Sequence, residues 1–296
     1  MSSSSSTASG AGLAWSKLGL GTGTLASMGR APSVSQVNSL IGAMLDLGIS
    51  VIDTADSYGS GDCECLLAKV LRGRRDYFAV ITKAGYRLSN LGGPLRPLNQ
   101  FVKKGLQYLG WRQLFEPRYL KKCLDDSLSR LRMEQVDVFL LHDPPLAAVT
   151  NEGVIRVCLD LKQSGKTALT GISSSDTAVL RQAIASGCFE VVQTPANLRA
   201  ASALQPVWHE CKARNIHVVG NHVFDPTCLA IPGMSHEQLM RASCTLLPER
   251  STILCGTRNP AHLREVNCWA HDPLPAVDAA CLAEALVSGE IYRSAH

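Results

Sequence analysis

Short runs that are apolar on both faces alternate with amphipathic stretches through nearly the whole chain, and this alternation limits the available folds more than any other feature. Eight runs read as strands: Leu18–Thr22, Val51–Thr54, Phe78–Lys83, Val136–His142, Ala168–Ser173, Val191–Gln193, Ile216–Asn221 and Thr252–Gly256. Their two-sided apolarity is that of buried parallel strands. Between them lie helical patterns: Val34–Leu47, with Val37, Leu40, Ile41, Met44 and Leu45 on one face, then Glu64–Leu71, Arg118–Leu131, Asn151–Lys162, Asp176–Ala185, Ser202–Arg214, Ser235–Leu246 and Pro260–Trp269. Ser33, Asn151, Asp176, Ser235 and Asn259 stand where N-caps belong, Gln36 completes a capping-box spacing with Ser33, and Gly48, Gly165 and Gly187 follow helix ends.

Eight such units either open into a doubly wound sheet or close into a barrel, and the alternation alone does not choose between them. A dinucleotide-binding sheet needs G-x-G-x-x-G after its first strand, but Gly19, Gly21 and Gly23 are followed by Thr24, so the third glycine is out of register. The glycines read instead as the entry to a barrel strand. The expected fold class is α/β, a (β/α)8 TIM barrel, with residues 15–296 as a single domain behind a flexible tail of residues 1–14. A chain of 296 residues suits this, since such barrels run to about 250 residues around one core. Two segments depart from the repeat. The long stretch Tyr86–Pro117 follows the third strand and is expected to cover the mouth, with Tyr86 and Trp111 lining a substrate pocket. The tail after Trp269 is a second candidate to fold over the mouth.

Composition narrows the function classes. The net charge is only +4, and Lys103-Lys104, Lys121-Lys122 and the group from Arg72 to Arg75 are the tight basic groups, so they read as solvated faces and no nucleic-acid partner is expected. Eleven cysteines, an odd number without any C-x-x-C pair, read as free thiols in a reducing compartment; Cys63 and Cys65 form only C-x-C, and no metal site is expected. The amino terminus has neither the basic nor the apolar region of a secretory signal, and no run approaches the roughly 18 apolar residues of a membrane span. A cytoplasmic protein without a membrane partner is expected.

Chemistry is concentrated where ionisable residues interrupt strand ends. Asp53 follows Val51-Ile52, Lys83 follows Val80-Ile81-Thr82, and His142 follows Phe139-Leu140-Leu141. In a barrel these are carboxyl ends of strands, the edge that carries catalytic groups. Tyr58 lies five residues beyond Asp53, close enough to hang over that edge. A phenol titrates near pH ~10 and needs a neighbouring cation to act as acid and base near neutrality. Lys83 can be that cation, Asp53 can keep a buried Lys83 protonated, and His142 can donate to a carbonyl oxygen or orient a substrate.

These residues carry a resemblance. The segment from Val51 to Gly59, then Ile81-Thr82-Lys83 and Leu140-Leu141-His142, resembles the signature segments of the aldo-keto reductase superfamily, and the likeness runs on through Gly171-Ile172-Ser173-Ser174, Val192-Gln193 and Gly256-Thr257-Arg258. The family's Asp, Tyr, Lys and His tetrad falls on Asp53, Tyr58, Lys83 and His142. The resemblance implies metal-free hydride transfer between a nicotinamide and a small carbonyl or alcohol, with NADPH as the cofactor and NAD as the alternative. It implies that Ser173, Ser174 and Gln193 hold the nicotinamide, with Ser174 standing where the family has Asn, and that Ala196 stands where a tyrosine stacks on the ring. It also implies that Gly256, Thr257 and Arg258, with His262 where the family has Arg, hold the adenosine phosphate. His222, in an unusual seventh-strand segment, is either a neighbour of the cofactor or a histidine bonded within its loop. Two other functions stay open: a Schiff-base enzyme using a neutral Lys83, and a nicotinamide-binding barrel that serves as a sensor or regulatory subunit.

Overall fold

Each apolar run pairs in parallel with the next, and the eighth returns to the first. The computed structural model describes residues 14–26, 32–87, 113–230 and 233–288, and in it the strands form one closed barrel in sequence order. The strands are β1 (Leu18–Gly21), β2 (Val51–Asp53), β3 (Ala79–Ala84), β4 (Val136–His142), β5 (Thr167–Ser173), β6 (Val191–Pro195), β7 (His217–Asn221) and β8 (Ser251–Cys255). Closure is fixed by Leu20, which lies opposite Ile52 on one side and Cys255 on the other. The helices that follow the strands are α1 (Val34–Asp46), α2 (Asp62–Val70), α3 (Pro117–Leu131), α4 (Glu152–Gln163), α5 (Thr177–Ser186), α6 (Leu198–Ala213), α7 (His236–Leu246) and α8 (Pro260–His271). The chain thus has the (β/α)8 architecture expected of it.

Because side chains alternate along a strand, each strand serves two cores. Val51, Ala79, Ile81, Val138, Leu140, Val191, Val219 and Leu254 fill the barrel. Leu20, Ile52, Val80, Phe139, Leu141, Ile172, Val192 and Val218 face the helices and join a larger cluster with Leu40, Ile41, Met44, Leu67 and Leu124. Trp15 packs against the inner cluster, its ring 4.3 Å from that of His217 at the amino end of β7. Burial, with the nearby Arg250 and Lys17 cations, pushes His217 down to about 3, so the imidazole is neutral and bonds to Thr252 Oγ1 at 3.1 Å. The lower end of the barrel is therefore plugged by packed, uncharged groups.

Local signals acted as expected at the helix ends. Ser33 and Gln36 make the reciprocal capping box, Asn151, Asp176 and Asn259 accept from backbone N–H groups, and Gly48, Gly165 and Gly187 have φ of 65°, 73° and 69°. Ser235 forms a second capping box, with Gln238. Two expectations need correction. Leu45 is exposed, so it does not belong to the buried face of α1. Helix α6 starts at Leu198 rather than Ser202, because Asn197 accepts from Ala200 N and caps it a turn earlier. The tail after Trp269 forms α9 (Ala276–Ser288), which packs through Ala279 and Leu282 with Leu198, Leu239 and Ala242 and with Phe224, Cys228 and Leu229 of the segment that leaves the carboxyl end of β7. The expected tail of residues 1–14 lies, except for Ala14, outside the described residues, as do Trp111 and residues 289–296.

One glycine is required by close packing. A Cβ at Gly171 would lie 2.1 Å from Val191 O and 2.7 Å from Leu140 Cδ2, inside the β5–β6 ladder. Gly171→Ala is expected to destabilise the protein by at least about 1–3 kcal/mol. Gly42→Ala, where a Cβ in α1 would meet nothing within 4 Å, is expected to stabilise it by roughly 0.5–1 kcal/mol. Urea unfolding of the two variants checks both; equal midpoints would contradict the packing described.

Candidate active site

Asp53, Lys83 and His142 sit at the carboxyl ends of β2, β3 and β4 and continue the inward rows of Val51, Ile81 and Leu140. Strand pairing thus delivers three polar side chains to one level above an apolar plug. Lys83 Nζ donates to Asp53 Oδ2 at 2.7 Å, to the Thr54 carbonyl at 2.8 Å and to Tyr58 Oη at 3.4 Å, with Lys83 only 1% exposed. Three acceptors match the three protons of an ammonium. Burial pulls the lysine down, but Asp53 and Tyr58 more than reverse it, so its pKa is raised and it stays charged.

Tyr58 is brought over this cation by backbone bonds that extend the β2–β3 ladder past the strand end. Thr54 N donates to Ile81 O, Asp56 N to Lys83 O, and Tyr58 N to Ala55 O. The Lys83 cation pulls the phenol pKa down, but burial and the Asp53 carboxylate outweigh it, and the net shift is upward. Lys83 thus acts on the phenol in the expected direction, but burial and Asp53 reverse the net shift, so the phenol is held in its protonated form.

Asp53 has a second partner. Gln193 Nε2 donates to Asp53 Oδ1 at 2.8 Å, and Ser173 Oγ donates to Gln193 Oε1 at 2.8 Å. Ser173 and Gln193 therefore stand at the same mouth, in a hydrogen-bonded chain that ends on the tetrad's carboxylate. Ser174 accepts from Asp176 N at 3.1 Å. Ala196 is buried, with its Cβ 2.7 Å from where a Cβ of Gly220 would stand, so no ring projects from that position.

His142, half-buried, meets the Tyr58 ring edge-on at a centroid distance of 6.2 Å and the Tyr86 ring at 4.7 Å. Tyr86, expected in the substrate pocket, is thus beside the tetrad. Its hydroxyl donates to Asp143 Oδ2 at 2.6 Å, and its carbonyl accepts from Tyr119 Oη at 2.8 Å.

At the end of β8, Thr257 Oγ1 accepts from Asn259 N at 3.1 Å, and Asn259 caps α8. Arg258 donates from Nε to the Thr24 carbonyl at 2.9 Å, and His262 is exposed on the first turn of α8. Gly256, Thr257, Arg258 and His262 therefore share one rim, across the mouth from Tyr86. His222, at φ 51°, bonds through Nδ1 to Asn221 Oδ1 at 2.8 Å, the loop-bonded alternative of the two considered. Among the described residues no group of three His, Cys, Asp or Glu side chains could hold a metal ion.

Beneath the Tyr58 loop lies a buried polar cluster that sequence reasoning missed. Glu64 accepts from Thr82 Oγ1 at 2.7 Å and from Arg130 Nε at 2.6 Å, joining α2, β3 and α3. Burial and the Glu64 carboxylate push the Asp56 carboxyl up to about 8, against the pull of Arg130, the Cys123 thiol and the Ser57 N–H. Only its place between Asp53 and Tyr58 marks Asp56 in the sequence.

The structure is thus a closed eight-fold α/β barrel with a buried lysine–carboxylate pair beneath a phenol at its carboxyl edge. The chain belongs to the aldo/keto reductase family, whose model matches residues 17–230 and whose members are oxidoreductases that use nicotinamide cofactors. A 6-dehydroglucose reductase of Novosphingobium aromaticivorans is 34% identical over 172 residues, 55% of this chain and 49% of that protein, so the matched stretch spans about half the relative's length. A pyridoxal 4-dehydrogenase of Microbacterium luteolum is 28% identical, with 89% of this chain covering 92% of that one. An aldo-keto reductase from Klebsiella pneumoniae, solved in complex with NADPH, superposes with a TM-score of 0.65 at 19% identity, over 92% of each chain. No helix among the described residues is long and apolar enough to cross a membrane, and the eleven cysteines are all free.

The raised Asp56 pKa sets a pH dependence. Below about pH 4 the carboxyl is protonated whether the chain is folded or not, so its burial costs nothing. As pH rises from there to about 8 only the unfolded chain releases the proton, and stability falls. Asp56→Asn is therefore expected to gain in Tm over the wild type progressively between about pH 4 and 8. Parallel Tm curves would contradict a buried neutral Asp56.

Proposed function

We propose that this protein is an NADPH-dependent carbonyl oxidoreductase in which Tyr58 is the proton donor, acting on a small aldehyde, ketone or the corresponding alcohol in the cytoplasm. The observation that carries it is the Lys83 ammonium, fixed at once to Asp53, the Thr54 carbonyl and Tyr58 Oη. The residues at the mouth fit a nicotinamide cofactor. At the junction of β1 and β8 the backbone carries glycine at Gly21, Gly23 and Gly256, with the Tyr58 ring 3.6 Å from where a Cβ of Gly23 would stand, so at these three positions no side chain stands between the rim and the phenol. Gly256, Thr257, Arg258 and His262 stand where α8 begins, a place where backbone N–H groups and a cation hold phosphate. Ser173, Ser174 and Gln193 would hold the carboxamide, Gln193 keeping one N–H beyond its bond to Asp53.

A reduced nicotinamide held by these residues would supply the hydride for the carbonyl carbon. Tyr58 Oη transfers its proton to the carbonyl oxygen as that oxygen gains charge. The phenolate left behind is stabilised by Lys83, whose own charge Asp53 and the Thr54 carbonyl maintain. His142, edge-on to both Tyr58 and Tyr86, orients the carbonyl or donates to it. A Schiff-base role needs a neutral lysine, and the upward shift at Lys83 argues against it. A sensor role is the second reading, favoured by Ala196, which offers no ring to stack on a nicotinamide.

Tyr58→Phe is expected to lower kcat for carbonyl reduction by at least about 10²–10⁴-fold, with NADPH affinity retained. Lys83→Met should be comparably damaging, and the double variant little worse than either single one, as for groups that act as a unit. Steady-state kinetics on a carbonyl panel with NADPH titrations test this; a Tyr58→Phe enzyme with near-full turnover would assign the proton elsewhere.

NADPH is expected to bind more tightly than NADH by about ten- to a hundredfold, the worth of a charge-assisted phosphate contact of roughly 1.5–3 kcal/mol. Arg258→Ala should erode the difference. Calorimetric titration of wild type and variant measures it, and equal wild-type affinities would remove Arg258 from the phosphate site.

A further inference from the structure

Glu64 and Arg130, which the chemistry above does not use, are attached to the backbone behind both Tyr58 and Lys83. Immediately after Tyr58 the chain places three left-handed residues in a row: Gly59 at φ 59°, Ser60 at φ 53° and Gly61 at φ 93°. Ser60 adopts this conformation without the freedom of glycine, and such a state persists only where its surroundings enforce it. Gly61 lies directly against Arg130: a Cβ there would stand 2.6 Å from Arg130 Cδ and 2.7 Å from its Nε. The turn leads straight into α2, whose first residue, Asp62, donates its N–H to the carbonyls of Tyr58 and Gly59. The placement of α2 therefore sets that of the Tyr58 backbone.

Glu64, in the first turn of α2, is fully buried and bonded on both sides. Its Oε2 accepts from Arg130 Nε at 2.6 Å and its Oε1 from Thr82 Oγ1 at 2.7 Å, while Arg130 Nη2 donates to Ser127 Oγ at 3.0 Å. Side chains alternate along β3, so Thr82 turns outward to α2 and the next residue, Lys83, turns to the mouth. One ion pair thus grips the helix behind Tyr58 and the strand behind Lys83. The contact between those two is the longest of the three that the ammonium makes, 3.4 Å to Tyr58 Oη against 2.7 Å and 2.8 Å to Asp53 and the Thr54 carbonyl.

We propose that Arg130 is a positioning residue for the proton donor: through Gly61 and Glu64 it holds the left-handed turn after Tyr58 and so keeps the phenol over Lys83. A planar guanidinium can lie along the Gly61 backbone while its Nε bonds the carboxylate. Without it the buried Glu64 charge is left uncompensated, and the turn loses the surface on which it rests. A displacement of roughly 1 Å at the reacting group is enough to cost about a hundredfold in the chemical step.

This inference rests on the proposed role of Tyr58, and a double-variant cycle separates the two. Single-turnover reduction of the best aldehyde of a carbonyl panel by the full chain with NADPH is followed in wild type, Arg130→Met, Arg130→Lys, Tyr58→Phe and Tyr58→Phe/Arg130→Met. Arg130→Met is expected to lower the rate at saturation by about 10–100-fold, with KM and NADPH affinity within about threefold of wild type. Arg130→Lys keeps a cation beside Glu64 and should recover the rate to within roughly fivefold of wild type. In the Tyr58→Phe background Arg130→Met should cost no more than about a further threefold, because the group that it positions is gone. A merely structural role would lower the active fraction equally in both backgrounds. Glu64→Gln keeps the side-chain volume and weakens the same bond, so it replaces Arg130→Met in the cycle if that variant does not fold. An unchanged rate in these variants, or a loss that multiplies in full with that of Tyr58→Phe, would overturn the positioning inference and leave the reductase standing. Near-full turnover by Tyr58→Phe, or none by the wild type, would overturn the role of Tyr58 and this inference with it.

Discussion

A lysine ammonium buried at the mouth of an apolar barrel has to be neutralised where it stands, and much of the upper half of this protein is arranged around that requirement. Lys83 follows the inward row of β3, so its side chain rises into a space walled by Val138, Leu140 and their neighbours rather than into water. Leaving such a charge unpaired would cost several kcal/mol, of the order of the protein's entire net stability. Asp53 supplies the countercharge from the adjacent strand, the Thr54 carbonyl takes a second proton, and the phenol of Tyr58 the third. The pair is thus both a stability requirement and the source of the cation beneath the phenol.

The carboxylate needs holding as much as the lysine. Gln193, four strands away, occupies the other oxygen of Asp53, and Ser173 orients the amide by donating to its carbonyl. The tetrad is therefore tied around the barrel from β2 through β5 to β6, and a displacement at one strand end is resisted from the opposite side. On the outer side Asp56, in the loop that carries Tyr58, is buried near the Glu64–Arg130 ion pair and feels both charges. Keeping Asp56 neutral relieves its repulsion with Glu64.

The two rims of the mouth differ in character. Near β1 and β8 the edge carries Gly21, Gly23 and Gly256, packed against Thr24 and the Tyr58 ring, with Arg258 and the start of α8 beside them. Near β3 and β4 it is side chains: Tyr86 against His142, then Asp143. Tyr58 lies between the two, bonded to Lys83 and edge-on to His142.

The eight strands, their order, the helix caps at Ser33, Asn151, Asp176, Ser235 and Asn259, and the four residues Asp53, Tyr58, Lys83 and His142 were legible in the sequence, because each depends on periodicity, on local hydrogen bonding or on a polar residue ending an apolar run. Barrel closure was expected from the out-of-register glycines and the family resemblance rather than from the strand pattern, since it depends on Leu20 finding Cys255 across the whole length of the chain. The same limit hid the Gln193 bond to Asp53, the Glu64–Arg130 pair and the Tyr86–Asp143 contact, each between residues distant in sequence. It also hid the direction of the Tyr58 shift, since residue identity shows that Lys83 attracts a phenolate but only the tertiary structure sets how far burial and Asp53 oppose it. Sequence fixes which groups are available at each strand end; desolvation and long-range pairing, which arise only when the barrel closes, decide their charge and their partners.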